Sequence, residues 1–453
     1  MKSFLATATA VLLWTTAAGA NKRDLCSDGS VDDGGNWYCQ KVQAVTYTNV
    51  GGKGQYNRIT NMGSDGHCAH SPMGYSGNVA PLDQEVSLHF RGPLHLKQFA
   101  FYAPGTAKSK RNEDDLGHLH VHGRRGQLHR HVVRQVGAMV TATINGQVVS
   151  WRNQYGGPST ATSSSSVQTQ AAASQTSQAS SSHTLASPQT SPSSGSRDSS
   201  SSNGQAWTRG AYYNAASGTS EGLVFLNHFG GCGSGTFDMT YGNSLSFASS
   251  DGTKGSADRQ VLADVVLPSS AEVIIMSDDH CGGNDGACGY YRDGIKDVAH
   301  HGFDGAAKAF FFEFQMPHET GSTAASEYDP VDMPAIWMLN ALIPRTLQYG
   351  NEQCSCWQSG CGEFDMFEVL SAGDNRMKST LHGNVAGGDS DYFERPVNAS
   401  IKAAAILYND NIHLRVLDDN TDFGDAIDFD KIESMCSETL VQSEFVSLFK
   451  LGG

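Results

Sequence analysis

Short β-prone runs separated by turn-forming residues restrict the fold of this sequence more than any other feature. After residue 205, runs such as "GLVFLNHF", "AEVIIMS" and "AKAFFFEFQMP" are bounded by Gly, Asp, Asn and Pro, and no long stretch has a helical period. Repeated short strands with turn signals are typical of β-sandwiches and β-barrels. The sequence therefore predicts an all-β protein.

A tract rich in Ser, Thr, Gln and Ala covers residues 158–205 and divides the chain. It has almost no large apolar residues, so it cannot bury enough surface to offset the entropy lost on ordering. We expect a disordered linker there, with a composition common in O-glycosylated stalks. Residues 21–157 are Gly-rich with short β-like runs, and Asn145-Gly146 between two such runs is a hairpin signal. The sequence predicts a small N-terminal Gly-rich β-module over 21–157 and a larger module over 206–453.

The first 20 residues have the pattern of a secretory signal peptide. Lys2 is followed by an apolar stretch and by a small-residue cleavage sequence, Ala18-Gly19-Ala20. No later segment is apolar for long enough to span a membrane or to signal a lipid anchor. We expect a secreted protein without a membrane anchor, in which Asn398-Ala399-Ser400 is an N-glycosylation acceptor or an unmodified surface loop.

Charge and cysteine content restrict the partners and the compartment. The formal net charge is −15 and the pI is near 5.5, which disfavours nucleic acid and suits a neutral glycan. The ten cysteines divide into three before residue 70 and seven after residue 230, and an even number in an exported chain predicts disulfides. The odd split requires either one bridge between the two parts or a free thiol in each.

Two groups of residues raise the question of a metal site. His118, His120 and His122 alternate in "GHLHVHGRRGQLHRH", where they suit either a transition metal or a solvated basic loop. Cys354, Cys356 and Cys361 are predicted to be disulfide staples, with a zinc site as the alternative. Cys281 and Cys288 lie in a Gly-rich turn, where we expect a local disulfide pair. The prediction is a protein without a metal or another cofactor.

The run "GCGEFDMFEVL" places three acids among bulky apolar residues, where an unpaired charge is costly. In a strand, Glu363 and Asp365 share one face, and a β-bulge around Met366-Phe367 would return Glu368 to that face. Aligned acids repel each other, which raises the pKa of one of them as a proton donor near neutral pH requires. A calcium site and a solvated strand face are the alternatives.

Four segments resemble glycoside hydrolase family 16 in that family's order. "GEFDMFE" matches its E-x-D-x-x-E signature in the bulged form typical of β-1,3-glucanases, and "KAFFFEFQMP", "MPAIWMLN" and "STLHG" resemble its neighbouring strands. The arrangement of the whole chain, including "WTRGAYYNAASGTSEGLVFLNHFGG", resembles the fungal cell-wall proteins of the target-of-SBF type. The resemblance implies a C-terminal antiparallel β-jelly-roll sandwich with a concave cleft.

The resemblance also implies roles for five residues. Glu363 would be the nucleophile, Glu368 the general acid/base and Asp365 the group that orients Glu363, while Trp337 and His382 would contact the sugar. For Trp337 and His382, a place in the protein core is the alternative.

The activity implied is that of a glucan endo-1,3-β-D-glucosidase, a secreted retaining hydrolase whose partner is the β-glucan polysaccharide of the fungal cell wall. A wall transglycosylase and a non-catalytic glucan-binding wall protein are the alternatives. The segment "NALIPRTLQYGNEQCSCWQSGC" is longer than the loop of simpler members, and we expect it to reshape the cleft.

Overall fold

The computed structural model describes residues 31–33, 36–63, 67–105, 139–144, 147–152, 206–230, 245–282, 288, 298–321, 330–343, 354, 356, 358, 360–437 and 446–451. This part of the chain contains 25 strands and one short helix. The strands are β1 Val31–Asp33, β2 Asn36–Tyr38, β3 Ala44–Thr48, β4 Gly51–Met62, β5 Cys68–Asn78, β6 Val86–Arg91, β7 His95–Pro104, β8 Met139–Ile144, β9 Gln147–Arg152, β10 Trp207–Asn214, β11 Thr219–Glu221, β12 Leu223–Asn227, β13 Ser246–Ala248, β14 Gly255–Ser256, β15 Glu272–Ser277, β16 Lys308–Gln315, β17 Ala335–Asn340, β18 Glu363–Glu368, β19 Arg376–His382, β20 Gly387–Gly388, β21 Phe393–Glu394, β22 Ile401–Tyr408, β23 Asn411–Leu417, β24 Ala426–Ile427 and β25 Val446–Lys450, and the helix is α1 Phe429–Met435.

Two large sheets form an all-β sandwich, as the sequence predicts. The first has the order β11-β10-β7-β16-β22-β23-β3-β25, with β24 paired to β10. The second has the order β14-β13-β12-β15-β6-β17-β18-β19-β20, with β21 paired to β19. The pairs within both sheets are antiparallel except β25 with β3, which is parallel. None of the helices in the described ranges is long and apolar enough to cross a membrane.

The main hydrophobic core lies between the two sheets, because alternate residues of each strand point to the same side. Phe90 of the second sheet packs edge-on against Phe312 of the first, with 6.1 Å between ring centroids. Tyr47 of the first sheet meets Phe364 of the second at 5.2 Å. The residues that alternate with Phe90 and Phe364 therefore lie on the outer face of the second sheet.

The structure corrects the expected division into an N-terminal module over 21–157 and a module over 206–453. Three strands that precede the linker lie inside the sheets: β3 between β23 and β25, β6 between β15 and β17, and β7 between β10 and β16. β3, β6 and β7 thus build one sandwich together with the strands after residue 206. Periodicity identifies a segment as a strand but does not give its partner, and for this reason the sequence suggested two modules.

Several smaller predictions can be compared with the structure. The strands on either side of Asn145-Gly146, β8 and β9, pair with each other as the hairpin signal predicts. β22 and β23 form a second hairpin, and its turn residue Asn409 has a positive φ of 54°. The predicted signal peptide, the predicted linker over 158–205 and the three alternating histidines lie outside the described residues.

The cysteines form bridges that support the disulfide predictions. Cys281 pairs with Cys288 and Cys356 with Cys361, as local staples. Cys68 pairs with Cys354, so one bridge does join the parts before and after the linker. Cys39 is disulfide-bonded, and Cys436 is a free thiol.

Candidate active site

A β-bulge in β18 sets the geometry of the acidic strand. In the pairing of β18 with β17, Phe367 lies opposite Ile336 and Asp365 lies opposite Trp337. Met366 is therefore an extra residue without a cross-strand partner on β17. The register with β19 shifts in the same interval. The bulge that the sequence predicts around Met366-Phe367 is confirmed.

The bulge brings the three acids to one face. Phe364 and both bulge residues pack in the core between the sheets. Glu363, Asp365 and Glu368 consequently lie on the outer face of the second sheet, where Glu363 and Asp365 are buried and Glu368 is partly exposed. Without the extra residue, strict alternation would direct Glu368 into the core.

His382 is the direct partner of Asp365. It lies on β19 opposite Glu363, and its Nε2 donates a hydrogen bond of 2.8 Å to Oδ2 of Asp365. Burial lowers the pKa of His382, but the hydrogen bond and the charge of Asp365, together with the charge of Glu368, raise the pKa above its ordinary value. The structure thus places His382 on the strand beside the acids.

Glu368 has the electrostatic surroundings of a proton donor. Burial raises the pKa of its carboxyl to about 7, and the negative charge of Asp365 acts in the same direction. Arg91 and His382 oppose this rise. The Nη2 atom of Arg91 lies 3.3 Å from Oε1 of Glu368. Glu368 can therefore carry its proton near neutral pH.

Trp337 lies on the same face, but its ring is covered. It is 2% exposed and belongs to an apolar cluster that includes Tyr56 of β4 and Leu339. The ring of His89 stacks on it with 5.0 Å between centroids and 23° between planes. The structure therefore differs from the expectation that Trp337 lines an open cleft, because the β4–β5 hairpin contributes to the cover.

The indole Nε1 of Trp337 is buried and has no hydrogen-bond partner among the residues that the structure describes. A buried donor of this kind is costly when it stays unpaired. It is thus a candidate contact for a polar group that enters the site.

Sequence reasoning missed the contribution of β6. Ser87, His89 and Arg91 alternate with core residues in "VSLHFRG" and lie on the same outer face as the acids. His89 donates from Nδ1 to Oε1 of Glu272 at 2.9 Å, and its Nε2 lies 2.9 Å from Oγ of Ser87. The alternation signals a strand with a polar face, but no local signal shows that this strand lies beside β17.

One group in the described part of the chain has the geometry of metal ligands: Cys281, Cys288 and His301. The two cysteines form a disulfide and therefore offer no thiolate while it persists. Cys354, Cys356 and Cys361 are likewise in disulfides, which supports staples rather than a zinc site.

Comparison with known proteins identifies the family. The C-terminal model of the cell wall protein YJL171C/Tos1 family matches residues 205–435, and the N-terminal model matches residues 43–104. The chain belongs to the YJL171C/Tos1 cell wall protein family. The two matched ranges contain most of the strands of the sandwich, and they leave out the tract between them.

Relatives with curated names extend over most of the chain. A Candida albicans protein named "Probable circularly permuted 1,3-beta-glucanase TOS1" is 39% identical, covering 91% of this chain and 94% of the relative. The Saccharomyces cerevisiae protein of that name is 40% identical, over 90% of this chain and 92% of the relative. An Arthroderma benhamiae "Probable circularly permuted 1,3-beta-glucanase" is 38% identical over 90% and 92%. No solved structure matches this chain.

Proposed function

We propose that this protein is a secreted cell-wall glycoside hydrolase that cleaves β-1,3-glucan internally by a retaining double displacement. The observation that carries the proposal is the bulged strand β18, which directs Glu363, Asp365 and Glu368 to one face. The names of the relatives support a 1,3-β-glucan substrate. The family name supports the cell wall as the place of action.

In this mechanism the two glutamates have different roles. Glu363 attacks the anomeric carbon while Glu368 protonates the leaving oxygen, which gives a covalent glycosyl-enzyme intermediate. Glu368 then removes a proton from water, and the water displaces Glu363 with net retention of configuration. A pKa of about 7 suits Glu368 to both steps, because a group that gives and takes a proton works best near the operating pH.

Asp365 lies between the two glutamates in the strand and influences both. It is two residues after Glu363 on the same face, where we propose that it orients the nucleophile. Its charge raises the pKa of Glu368, and the hydrogen bond from His382 fixes its own carboxylate. We assign His382 to this contact and to the sugar that lies above it.

Trp337 remains our candidate for a sugar contact in this proposal. Because its ring is covered, a glucan chain reaches it only when the β4–β5 hairpin moves. The unpaired Nε1 would then donate to a sugar hydroxyl.

The relatives are named as circularly permuted, and the strand order of this chain fits that description. β3, β6 and β7 precede the linker, yet each lies between or beside strands that follow it. We propose that the permutation moved these strands to the front of the chain without changing the sandwich.

The proposal is tested with linear β-1,3-glucan, on the wild type and on Glu363→Gln as a matched variant of equal size. We expect the wild type to release short oligosaccharides and the variant to release none. With a reduced laminari-oligosaccharide as substrate, products longer than the substrate would instead identify a transglycosylase. Tight binding to insoluble glucan without turnover of any β-glucan would identify a non-catalytic wall protein.

A further inference from the structure

Arg91 reaches Glu368 across an intervening strand. In the register of the second sheet, Arg91 of β6 lies opposite Ala335 of β17, which lies opposite Glu368 of β18. Two strand spacings separate Arg91 from Glu368, or about 9–10 Å. The small side chain of Ala335 leaves room for the long side chain of Arg91 to extend over β17.

The guanidinium group of Arg91 is held at several points. Its Nε donates to the carbonyl oxygen of Met333 at 2.9 Å, and its Nη2 donates to Oε1 of Glu368 at 3.3 Å. Its Cζ lies 5.6 Å from the centroid of the Trp337 ring, within cation–π range. The side chain is 15% exposed, so water and salt screen these contacts less than they would at an open surface.

We propose that Arg91 is a positioning residue, which aims the carboxyl group of Glu368 and connects it to the Trp337 ring. This inference rests on the proposed function, in which Glu368 is the acid/base. It gives the part of the chain before the linker a role in the reaction, because Arg91 comes from that part and Glu368 from the part after it.

The charges around Glu368 determine what removal of Arg91 should do. Asp365 of the same strand raises the pKa of Glu368, whereas Arg91 from β6 and His382 from β19 lower it. Lys378 of β19 lies opposite Glu368, but its ammonium group donates to the carbonyl oxygens of Trp37 and Asp389. Loss of the Arg91 charge should therefore raise the pKa of Glu368.

Two substitutions separate charge from geometry. Arg91→Met removes the charge and keeps most of the side-chain volume. Arg91→Lys keeps the charge but lacks the planar fork that contacts the Met333 carbonyl and Glu368 together. Arg209→Met is the matched control. Arg209 also forms an ion pair, at 2.5 Å from Asp425, and its Cζ also lies over an aromatic ring, 4.1 Å from the centroid of Tyr212. Unlike Arg91, it belongs to the other sheet.

The pH profile of kcat/KM on β-1,3-glucan is measured for the full-length wild type and the three variants. We expect the alkaline limb, where Glu368 loses its proton, to move up by about one pH unit in Arg91→Met. In Arg91→Lys the limb should stay within a few tenths of a unit while kcat falls about 10- to 100-fold, as expected for a misplaced catalytic group. Arg209→Met should match the wild type in both.

A second readout keeps this test separate from the proposed activity. The carboxyl carbons of the glutamates are labelled with ¹³C and titrated by NMR, with Glu368→Gln to assign the resonance. An upward shift of the Glu368 pKa in Arg91→Met supports the interaction of Arg91 with Glu368, even when no glucan is cleaved. The absence of glucan cleavage would overturn only the proposed function. An unchanged titration in folded Arg91→Met, or an unchanged kcat in Arg91→Lys, overturns the positioning role. If Arg91→Met does not fold, Arg91→Lys decides by its kcat.

Discussion

The part of the chain that follows the linker, residues 206–453, should not fold when it is produced alone. Without residues 21–157 the two sheets lose β3, β6 and β7, and each of these strands lies between two others. Seven core side chains leave with them: Val45, Tyr47, Val86, Leu88, Phe90, Leu96 and Phe99. At about 1.5–3 kcal/mol for each buried side chain, the loss is roughly 10–20 kcal/mol. A typical domain has a net stability of only about 5–15 kcal/mol, so the remaining strands cannot stay folded.

The assay compares three preparations by thermal melting and by resistance to proteolysis. Residues 206–453 alone should show no cooperative transition, whereas the same fragment produced together with residues 21–157 should recover one. The control is the full-length chain with a protease site placed within 158–205 and then cut, which should melt like the uncut protein. A cooperative melt of the isolated 206–453 fragment would refute the strand order on which this reasoning depends.

Further predictions concern the acids. Glu368→Gln should lose glucan hydrolysis but still form the glycosyl-enzyme intermediate from an activated aryl glycoside. Azide should then restore turnover, and the product should be a glycosyl azide of unchanged anomeric configuration. A lack of rescue by azide would contradict the acid/base role. Asp365→Asn should lower kcat by about 10²–10⁴-fold. Because the charge of Asp365 raises the pKa of Glu368, this variant should also move the alkaline limb of the pH profile to lower pH, and an upward shift would contradict the assignment. In the wild type, kcat/KM should fall as the pH rises through about 7, since Glu368 must be protonated to donate; a rate that is flat to pH 9 would exclude Glu368 as the acid.

Local patterns were sufficient to predict the features that depend on local chemistry. The three acids in an apolar run required a bulge to share a face, and the structure has it at Met366-Phe367. Cys281 and Cys288 are seven residues apart in a Gly-rich turn, close enough for the bridge that they form. In each case the residues that determine the outcome are near one another in the chain.

Features that depend on distant segments could not be predicted in the same way. The alternation in "VSLHFRG" predicts a strand, but its place beside β17 is decided by packing between segments more than 240 residues apart, such as Arg91 and Met333. The covered ring of Trp337 has the same cause, because Tyr56 comes from a hairpin far away in sequence. The β4–β5 hairpin is rich in Gly and has few apolar residues, so its sequence does not indicate that it packs on the outer face of the second sheet.

The configuration of the first product tests the central claim most directly. Wild-type protein is mixed with a soluble β-1,3-glucan, and the anomeric protons of the released sugars are followed by NMR during the first minutes, before mutarotation. Glu363 attacks the anomeric carbon from the face opposite the leaving group, and water then displaces Glu363 from the face that the leaving group vacated. This sequence predicts that the β-anomer appears first, and that Glu363→Gln gives no signal. Initial release of the α-anomer, or equal release by the wild type and Glu363→Gln, would contradict a double displacement through Glu363.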